Sequence, residues 1–510
     1  MIFNYIFSIM NYFLNTLKNN PLLKFYIFVG LILHFISIYF SVGFYKDDEH
    51  FQILEPVAYW LGLNDILIEG SGGQYWEWEL HHKIRPWLQV NIFYYIIILF
   101  KHLGIQNPFD WTLLIRFFVS ILGYLSIIYM FVSIKKDFFK KDTHFTYLLF
   151  FSFWFYPFLH SRTSSENLGI TVFTFAFCFL YTRVKKKDFN INILTFLIFS
   201  LILGFSLVIR FNLIFTVLPF CLWIFLFRFN FKKILIGIFG ILSALGIGLI
   251  VDHMSWSNIS PGIAFDYTWL NYYDVVITRG WHNSYGVHPW WFFFTQTIIE
   301  LAPLLSIFFV FSILLYWFKN PISVYTWITL FPVFVLSFIG HKEIRFLFPI
   351  YIFAPLFICF LFEKFEKIKF LNFLKGVVIF SNLIFLFITL FTPANIKIDL
   401  YKYLFENYNQ VESIYYVGND PLTDNPYLIN GMEPFFYTKF LPPIVKFNEE
   451  NINNKMPNNL LFLTKKYDVF KKIIKKEECK KQYSSFPEKI INLNKNWKNL
   501  NYNWYAIYCY

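Results

Sequence analysis

The sequence predicts an all-α polytopic membrane protein with about 11 transmembrane helices and a small C-terminal α/β domain. The 510 residues are 57% hydrophobic and only 15% charged, whereas soluble domains carry about 25% charged residues. Apolar runs of about 18 or more residues recur, and each is long enough to cross the hydrocarbon core of a bilayer. From residue 393 onward the chain changes character and becomes polar and rich in tyrosine.

The apolar runs define the spans. We predict them at 25–44, 112–134, 144–161, 167–183, 192–209, 211–228, 233–251, 297–318, 322–339, 346–362 and 371–391. The shorter run 89–104 is predicted to lie in the membrane plane, because counting it as a span would break the charge pattern. The lysine-rich loops then share one side, which the positive-inside rule assigns to the cytoplasm. The net charge of +12 is therefore a topology signal, and no nucleic-acid partner is expected.

This topology predicts two domains. Residues 1–392 would form a transmembrane domain with outer loops at about 45–111 and 252–296, and residues 393–510 an outer-face domain with strands near 413–417 and 460–463. Cys479 and Cys509 could pair if the tail faces an oxidising compartment. No cysteines have metal-ligand spacing, so neither a metal nor a cofactor is predicted.

An acidic stretch at 47–52 follows the first apolar run. If it is helical and continues past Glu55, then Asp48, Gln52, Glu55 and Tyr59 share one face. Carboxylates beside a membrane can accept a proton, bind a cation or hold a sugar, although a solvated acidic helix start is the simpler alternative. Asp48 is the preferred general base, and Glu49 and Asp47 are neighbours able to orient or replace it.

Cations also recur in the predicted outer loops, where the positive-inside rule expects few. An anionic ligand would account for them, because arginine holds phosphate oxygens in a bidentate fork. Taken singly, each cation could be an interfacial anchor, each histidine a structural residue and each tryptophan part of the aromatic belt. We expect one shared outer-face site, which Asp47, Gln52 and Glu55 would line together with Arg85, Arg162, Asn167, Arg210, Tyr285, His288, Trp290, His341, Lys342 and Arg345.

In this order, the clusters resemble the lipid-phosphate-mannose-dependent mannosyltransferases of the GT-C class, the group with the PIG-B-type and ALG-type enzymes. The matching stretches are 48–52 with Glu55, 76–78 with 84–85, 161–163 with 166–167, 209–210, 285–290 and 341–346. The resemblance covers roughly residues 40–365. It implies a dolichyl- or polyprenyl-phosphate-linked sugar donor, a lipid-linked glycan or glycolipid acceptor, inversion at the sugar carbon, and Asp48 as the catalytic residue.

Two departures from the family pattern leave the acceptor open. Asp47 stands where proline is common in the family, and the tail lacks the cysteine pattern of the PIG-B group. A prokaryotic relative is therefore an alternative, and the membrane would be the endoplasmic reticulum in a eukaryote or the inner membrane in a prokaryote. A transporter or flippase of lipid-linked glycans is the other functional class. It would place ionisable groups near mid-bilayer on broken helices, whereas the predicted spans carry their charges at the ends.

Overall fold

The computed structural model describes residues 20–65, 76–80, 82–141, 143–185, 191–263, 268–280, 286–423, 433–449, 459–476, 478–485 and 503–510. Its described parts fall into two compact units. The helical unit comprises Met1–Phe40, His81–Ile92 and Ile115–Thr392, and the mixed unit comprises Ser41–Leu80, Phe93–Leu114 and Pro393–Tyr510. The predicted domain boundary at residue 392 stays a prediction.

The helical unit consists of apolar helices and short helical turns. Its α-helices are Pro21–Phe40, His144–Phe151, Phe155–His160, Ser165–Val184, Ile193–Ile209, Ile214–Phe227, Phe231–Ile259, Thr268–Tyr272, Phe292–Glu300, Pro303–Lys319, Val324–Phe338, Phe348–Tyr351, Ala354–Lys364 and Phe370–Phe391, with single turns at Lys135–Asp137, Phe211–Leu213, Tyr273–Thr278 and Ile344–Leu347. Helices Leu88–His102 and Pro108–Ile134 carry residues of both units. Helix Leu88–His102 covers the run predicted to lie in the membrane plane, and that orientation stays a prediction.

Membrane-spanning helices confirm the predicted class of fold. Among the described residues, five helices are long and apolar enough to cross a bilayer, or up to seven if each of two bent helix pairs is one span. Large apolar side chains cover their outer surfaces, for example Phe239 at 64%, Phe318 at 81% and Phe387 at 66% exposure. A soluble protein rarely exposes so much apolar surface, so these side chains face lipid. The predicted number of spans stays a prediction.

Several spans predicted as continuous helices are broken, which corrects the sequence analysis. The run 144–161 forms helices His144–Phe151 and Phe155–His160. The Asn382 side chain satisfies backbone groups at the break between them, because it accepts from Trp154 N at 3.0 Å and donates to Ser152 O at 2.8 Å. Irregular backbone at membrane depth needs such partners. The hydropathy pattern missed the break because the residues around it are themselves apolar.

A five-stranded sheet forms the core of the C-terminal part of the mixed unit. Strands β1 (Ile414–Val417), β2 (Ile444–Lys446), β3 (Leu460–Thr464), β4 (Cys479–Ser484) and β5 (Tyr505–Cys509) lie in the order β2-β1-β3-β5-β4. Strand β1 is parallel to β2 and β3, and β5 is antiparallel to β3 and β4. Helix Tyr467–Ile474 buries Val469 and Ile473. The strands predicted at 413–417 and 460–463 are thus confirmed.

The remaining helices of the mixed unit are Asp47–Phe51, Leu54–Trp60, Ile396–Tyr408 and Phe435–Thr438, with a single turn at Trp76–Trp78. Cys479 and Cys509 lie opposite each other on β4 and β5 and form a disulfide. The predicted pairing is therefore confirmed. Disulfides persist in oxidising compartments such as the endoplasmic reticulum lumen or the bacterial periplasm.

Replacing Cys509 by serine should destabilise this sheet by about 3 kcal/mol, because the disulfide closes a loop in the unfolded chain. The measurement is proteolysis of the tail in detergent over a series of denaturant concentrations. Reduction of the wild-type protein should cause the same loss, and it should expose two thiols besides those of Cys178, Cys221 and Cys359. Equal resistance of reduced and oxidised protein would contradict a stabilising disulfide.

Candidate active site

The acidic stretch forms two short helices rather than one. Helix Asp47–Phe51 ends before Ile53, and helix Leu54–Trp60 begins directly after it. Pro56 accounts for the break, because it has no N–H to donate to the carbonyl four residues earlier, that of Gln52. The expectation of one continuous helical face through Asp48, Gln52 and Glu55 is therefore wrong.

Glu55 is the centre of a buried hydrogen-bond network in the mixed unit. Its side chain is fully buried. Oε1 pairs with His50 Nε2 at 2.7 Å and accepts from Phe436 N at 3.1 Å, while Oε2 accepts from Asn64 Nδ2 at 2.8 Å. A buried carboxylate costs free energy unless it is paired and hydrogen-bonded, and here both oxygens have partners. Glu55 is thus suited to holding the acidic stretch in shape.

The other side chains of the acidic stretch differ in exposure. Glu49 is buried and accepts from Tyr45 N at 2.9 Å through Oε2. Gln52 is also buried, and its Nε2 donates to Glu77 Oε1 at 3.3 Å. Asp47 and Asp48, by contrast, are partly exposed. Within this stretch, Asp47 and Asp48 are therefore the more exposed carboxylates.

The helical unit holds a separate ionic network. Glu166 Oε1 lies 2.7 Å from Arg210 Nη2 and 3.5 Å from Arg345 Nη1. Arg345 also binds Glu343 through Nε at 2.7 Å and Nη2 at 2.8 Å, and His341 Nε2 lies 3.1 Å from Glu343 Oε1. Glu166, Arg210 and Arg345 expose about a tenth of their side chains. The network therefore holds two arginines and their two carboxylate partners in fixed positions in a poorly hydrated place.

Charge also controls the protonation of Glu343. Burial alone would raise the pKa of this carboxyl, but the nearby guanidinium of Arg345 and the hydrogen bonds from His341 and Arg345 hold the pKa well below its usual range. Glu343 is therefore ionised throughout the neutral range. Removing one member of this partly buried pair leaves the other without its counter-charge, which is costly.

Arg162 lies in a loop that its neighbours hold tightly. Its guanidinium is 4.7 Å from the centre of the Phe158 ring, and Gln89 Nε2 donates to Thr163 O at 2.8 Å. Asn167, at the start of helix Ser165–Val184, donates to His160 O at 2.9 Å and to Arg162 O at 2.7 Å. The structure therefore gives Asn167 a role in supporting the backbone at Arg162.

Asn167→Ala should lower the free energy of unfolding by about 1–3 kcal/mol, because it leaves two buried carbonyl groups without their donor. Thermal unfolding in detergent measures the change. The matched control is Asn372→Ala, the same substitution at an exposed position, which should be nearly neutral. Equal stability of the two variants would contradict the supporting role of Asn167.

The Lys342 side chain forms its hydrogen bonds within the protein. It is 3% exposed, and Nζ donates to His288 O at 2.7 Å and to Ile339 O at 2.5 Å. Burial lowers the pKa of this ammonium group. His288 N in turn donates to Gly340 O at 3.0 Å. Lys342 therefore joins the loop at His288 to the turn after helix Val324–Phe338.

The remaining predicted residues are scattered within the helical unit. The Arg85 guanidinium lies 5.9 Å from the centre of the Tyr272 ring. Trp290 is 60% exposed, as an interfacial tryptophan would be, and it packs edge-to-face on Trp291. Tyr285 lies outside the described residues. In the part of the chain that the structure describes, no three His, Cys, Asp or Glu side chains are grouped to hold a metal.

The structure thus brings Arg210, Arg345 and His341 together, and it does so through two carboxylates that the sequence analysis did not select. Glu166 and Glu343 stood in the recognised polar clusters, one beside Asn167 and the other between Lys342 and Arg345. Buried arginines need counter-charges, and this requirement was the signal available in the sequence. The expectation that the predicted residues share one site stays a prediction.

Comparison with solved structures identifies the class of fold. ArnT from Cupriavidus metallidurans in the apo state superposes with a TM-score of 0.54 at 10% identity, over 89% of this chain and 95% of that protein. The undecaprenyl-phosphate-bound form of the same protein gives a TM-score of 0.51 at 9% identity, over 96% and 98%. The chain has the GT-C fold of multi-pass membrane glycosyltransferases, with a small C-terminal sheet.

The chain belongs to the Alg9-like mannosyltransferase family, whose model matches residues 25–423. GPI mannosyltransferase 3 of Candida albicans is 25% identical over 398 residues, which are 76% of this chain and 73% of that protein. Mannosyltransferase APTG1 of Arabidopsis thaliana is 25% identical over 63% of this chain and 56% of its own length. The protein is thus a membrane glycosyltransferase of the mannosyltransferase class, and the predicted resemblance and enzyme class are confirmed.

Proposed function

We propose that the enzyme transfers mannose from a dolichyl- or polyprenyl-phosphate-linked donor to a lipid-linked glycan or glycolipid acceptor, with inversion at the sugar carbon. Family membership supports the sugar. The names of two relatives support the acceptor class, since one is a GPI mannosyltransferase and the other a probable Dol-P-Man:Man(7)GlcNAc(2)-PP-Dol alpha-1,6-mannosyltransferase of Schizosaccharomyces pombe, 26% identical over 37% of this chain and 33% of that protein.

In this reaction an acceptor hydroxyl oxygen attacks the anomeric carbon from the face opposite the phosphate. The new C–O bond forms as the bond to the phosphate oxygen breaks, and the lipid phosphate leaves with the electron pair. The hydroxyl proton must go to a base, and the phosphate that leaves the donor gains negative charge. The enzyme therefore needs a carboxylate at the hydroxyl and cations at the phosphate.

The observation that carries the choice of base is the exposure pattern of the acidic stretch. Glu49 and Glu55 are buried and bonded within the protein, whereas Asp47 and Asp48 are partly exposed. Of these two, Asp48 matches the acidic position of the family pattern. We assign Asp48 as the general base, with Asp47 and Gln52 beside the acceptor and with Glu49 and Glu55 holding the stretch in shape.

The ionic network of the helical unit is suited to the donor phosphate. Arginine binds phosphate oxygens in pairs and cannot lose its proton. Arg210 and Arg345 are held by Glu166 and Glu343, so their charges are fixed before the substrate binds. Arg162 would add a third guanidinium, and preorganised charge stabilises a developing anion best. Of the remaining predicted residues, Arg85, His288, Trp290 and His341 would line the donor side, where Lys342 holds the backbone of His288.

We further propose that residues 1–392 form the catalytic membrane domain and that 393–510 form an outer-face domain. The disulfide between Cys479 and Cys509 supports this orientation, since disulfides are rare in the cytosol. In a eukaryotic cell the membrane would be that of the endoplasmic reticulum, and in a prokaryotic cell the inner membrane.

The test is a sugar-transfer assay with the purified full-length protein and a lipid extract as acceptor. Radiolabelled polyprenyl-phosphate-mannose should give a labelled glycolipid, and radiolabelled GDP-mannose should give none. Inversion of the β-linked donor should make the product sensitive to α-mannosidase. Transfer from GDP-mannose alone, or a product that resists α-mannosidase, would overturn the proposed donor or stereochemistry.

A further inference from the structure

The first outer loop is stacked against the C-terminal tail within the mixed unit. The His50 ring lies between Phe44, with centroids 4.8 Å apart at 23°, and Tyr437, with centroids 5.5 Å apart at 16°. Tyr437 stacks in turn on Phe109 at 5.0 Å and 23°. His50 is fully buried and Tyr437 is 1% exposed. These four rings form a continuous column, and a tyrosine of the tail is one of its inner members.

The backbone of the same tail segment bonds to the acidic stretch. Phe436 N donates to Glu55 Oε1, the oxygen that also pairs with His50 Nε2. The Phe436 ring packs edge-to-face on Trp111 with centroids 6.1 Å apart. The tail thus contacts both members of the His50–Glu55 pair, one through a ring and the other through an N–H. His50 lies within helix Asp47–Phe51, so fixing its ring also fixes the turn that carries Asp48.

A second connection joins the start of the tail to residues 42–43, just before the acidic stretch. Asn395 N donates to Val42 O at 3.0 Å. Gly43 has φ +88°, and a Cβ there would lie 2.7 Å from Asn395 Cβ. The start of the tail therefore approaches the chain just before the acidic stretch too closely for any side chain at residue 43.

The segment 434–440, which we call the tail clamp, lies beyond residue 423, where the match to the family model ends. Family membership therefore assigns it no role. Two of its rings are nonetheless among the most deeply buried of the described residues, since Phe436 is 0% and Tyr437 1% exposed. The contacts that these buried rings make therefore indicate what the segment does.

We propose that the tail clamp is a positioning element for catalysis: Tyr437 and the Phe436 N–H hold the His50–Glu55 pair, and this pair sets the orientation of Asp48. The proposal rests on the proposed function of Asp48 as the general base. Enzymes lose rate when a reacting group is displaced by about 1 Å, and supporting residues keep such groups in place. Tyr437 and Phe436 are positioning residues, because they act on Asp48 only through His50 and Glu55.

The test compares Tyr437→Ala with Tyr437→Phe in the full-length protein. Alanine removes the ring from the column, whereas phenylalanine keeps it. Tyr510→Ala is the matched control, because it makes the same change at an exposed tyrosine of the tail. If Tyr437→Ala does not accumulate in the membrane, Tyr437→Leu keeps apolar volume without the ring. Hydrogen exchange of a peptide covering residues 45–53 reports the order of the acidic stretch and needs no substrate.

We expect Tyr437→Ala to raise exchange across residues 45–53 and to lower kcat on the order of 10- to 100-fold, with the donor KM within about twofold of the wild-type value. Tyr437→Phe and Tyr510→Ala should behave as wild type. Unchanged exchange, unchanged kcat, or an equal loss in Tyr437→Phe would overturn the proposal. If wild-type protein transfers no mannose, the proposed function fails, whereas the exchange measurement still decides whether the clamp orders the stretch.

Discussion

Asp48→Asn should lower the rate of mannose transfer by about 10²–10⁴-fold, the range that a general base contributes. Asparagine has nearly the same shape as aspartate but cannot accept the hydroxyl proton. Asp48 is partly exposed, so the substitution leaves no buried cavity, and the protein should accumulate in the membrane as wild type does. The measurement is kcat with polyprenyl-phosphate-mannose at matched amounts of folded enzyme.

Substitutions of the neighbouring carboxylates test which residue is the base. Glu55→Gln should reduce transfer mainly through loss of order, since Glu55 lies in the buried network with His50 and Asn64. Asp468→Asn makes the same chemical change at an exposed position of the tail and should leave transfer unchanged. If Asp48→Asn keeps full activity while Asp47→Asn loses it, the base is Asp47. If both keep full activity, the base lies outside this helix.

The sequence was sufficient for the class of fold, because long apolar runs have few solutions other than membrane spans. It was insufficient for the breaks in those spans. Near Trp154 the residues are apolar on both sides, and the group that makes the break tolerable is Asn382, more than two hundred residues later. A periodicity analysis considers neighbours along the chain and cannot detect such a distant partner.

The same limit applies to the candidate site. Composition and the charge of the predicted outer loops led us to choose Asp48, Arg210 and Arg345 as candidates, and their roles stay predictions. The partners that hold these residues were harder to predict, since each is specified by three-dimensional proximity. Phe436 illustrates the difficulty: it lies in a polar tail without a recognisable motif, and its backbone N–H bonds a carboxylate near the other end of the chain.

Arg345→Ala should lower kcat by about 10²–10³-fold, comparable to the loss of one preorganised donor at a developing anion. Charge on the leaving phosphate increases in the transition state, so the loss should appear in kcat more than in the donor KM. Arg345→Lys keeps the charge, but a lysine cannot reproduce the two bonds to Glu343. We expect it to recover only part of the rate.

A charge-neutral double variant separates catalysis from stability. Arg345→Ala also removes the guanidinium that lowers the pKa of Glu343, so this half-buried carboxylate loses its main counter-charge. Arg345→Ala combined with Glu343→Gln removes that uncompensated charge, so thermal stability should recover while kcat stays low. If the double variant regains wild-type transfer, Arg345 serves only to neutralise Glu343, and the cations for the donor phosphate must then be Arg162 and Arg210. The two single variants and the double variant form a double-mutant cycle. Losses that are non-additive in stability but additive in kcat would separate the role of Arg345 as a counter-charge from its role in catalysis.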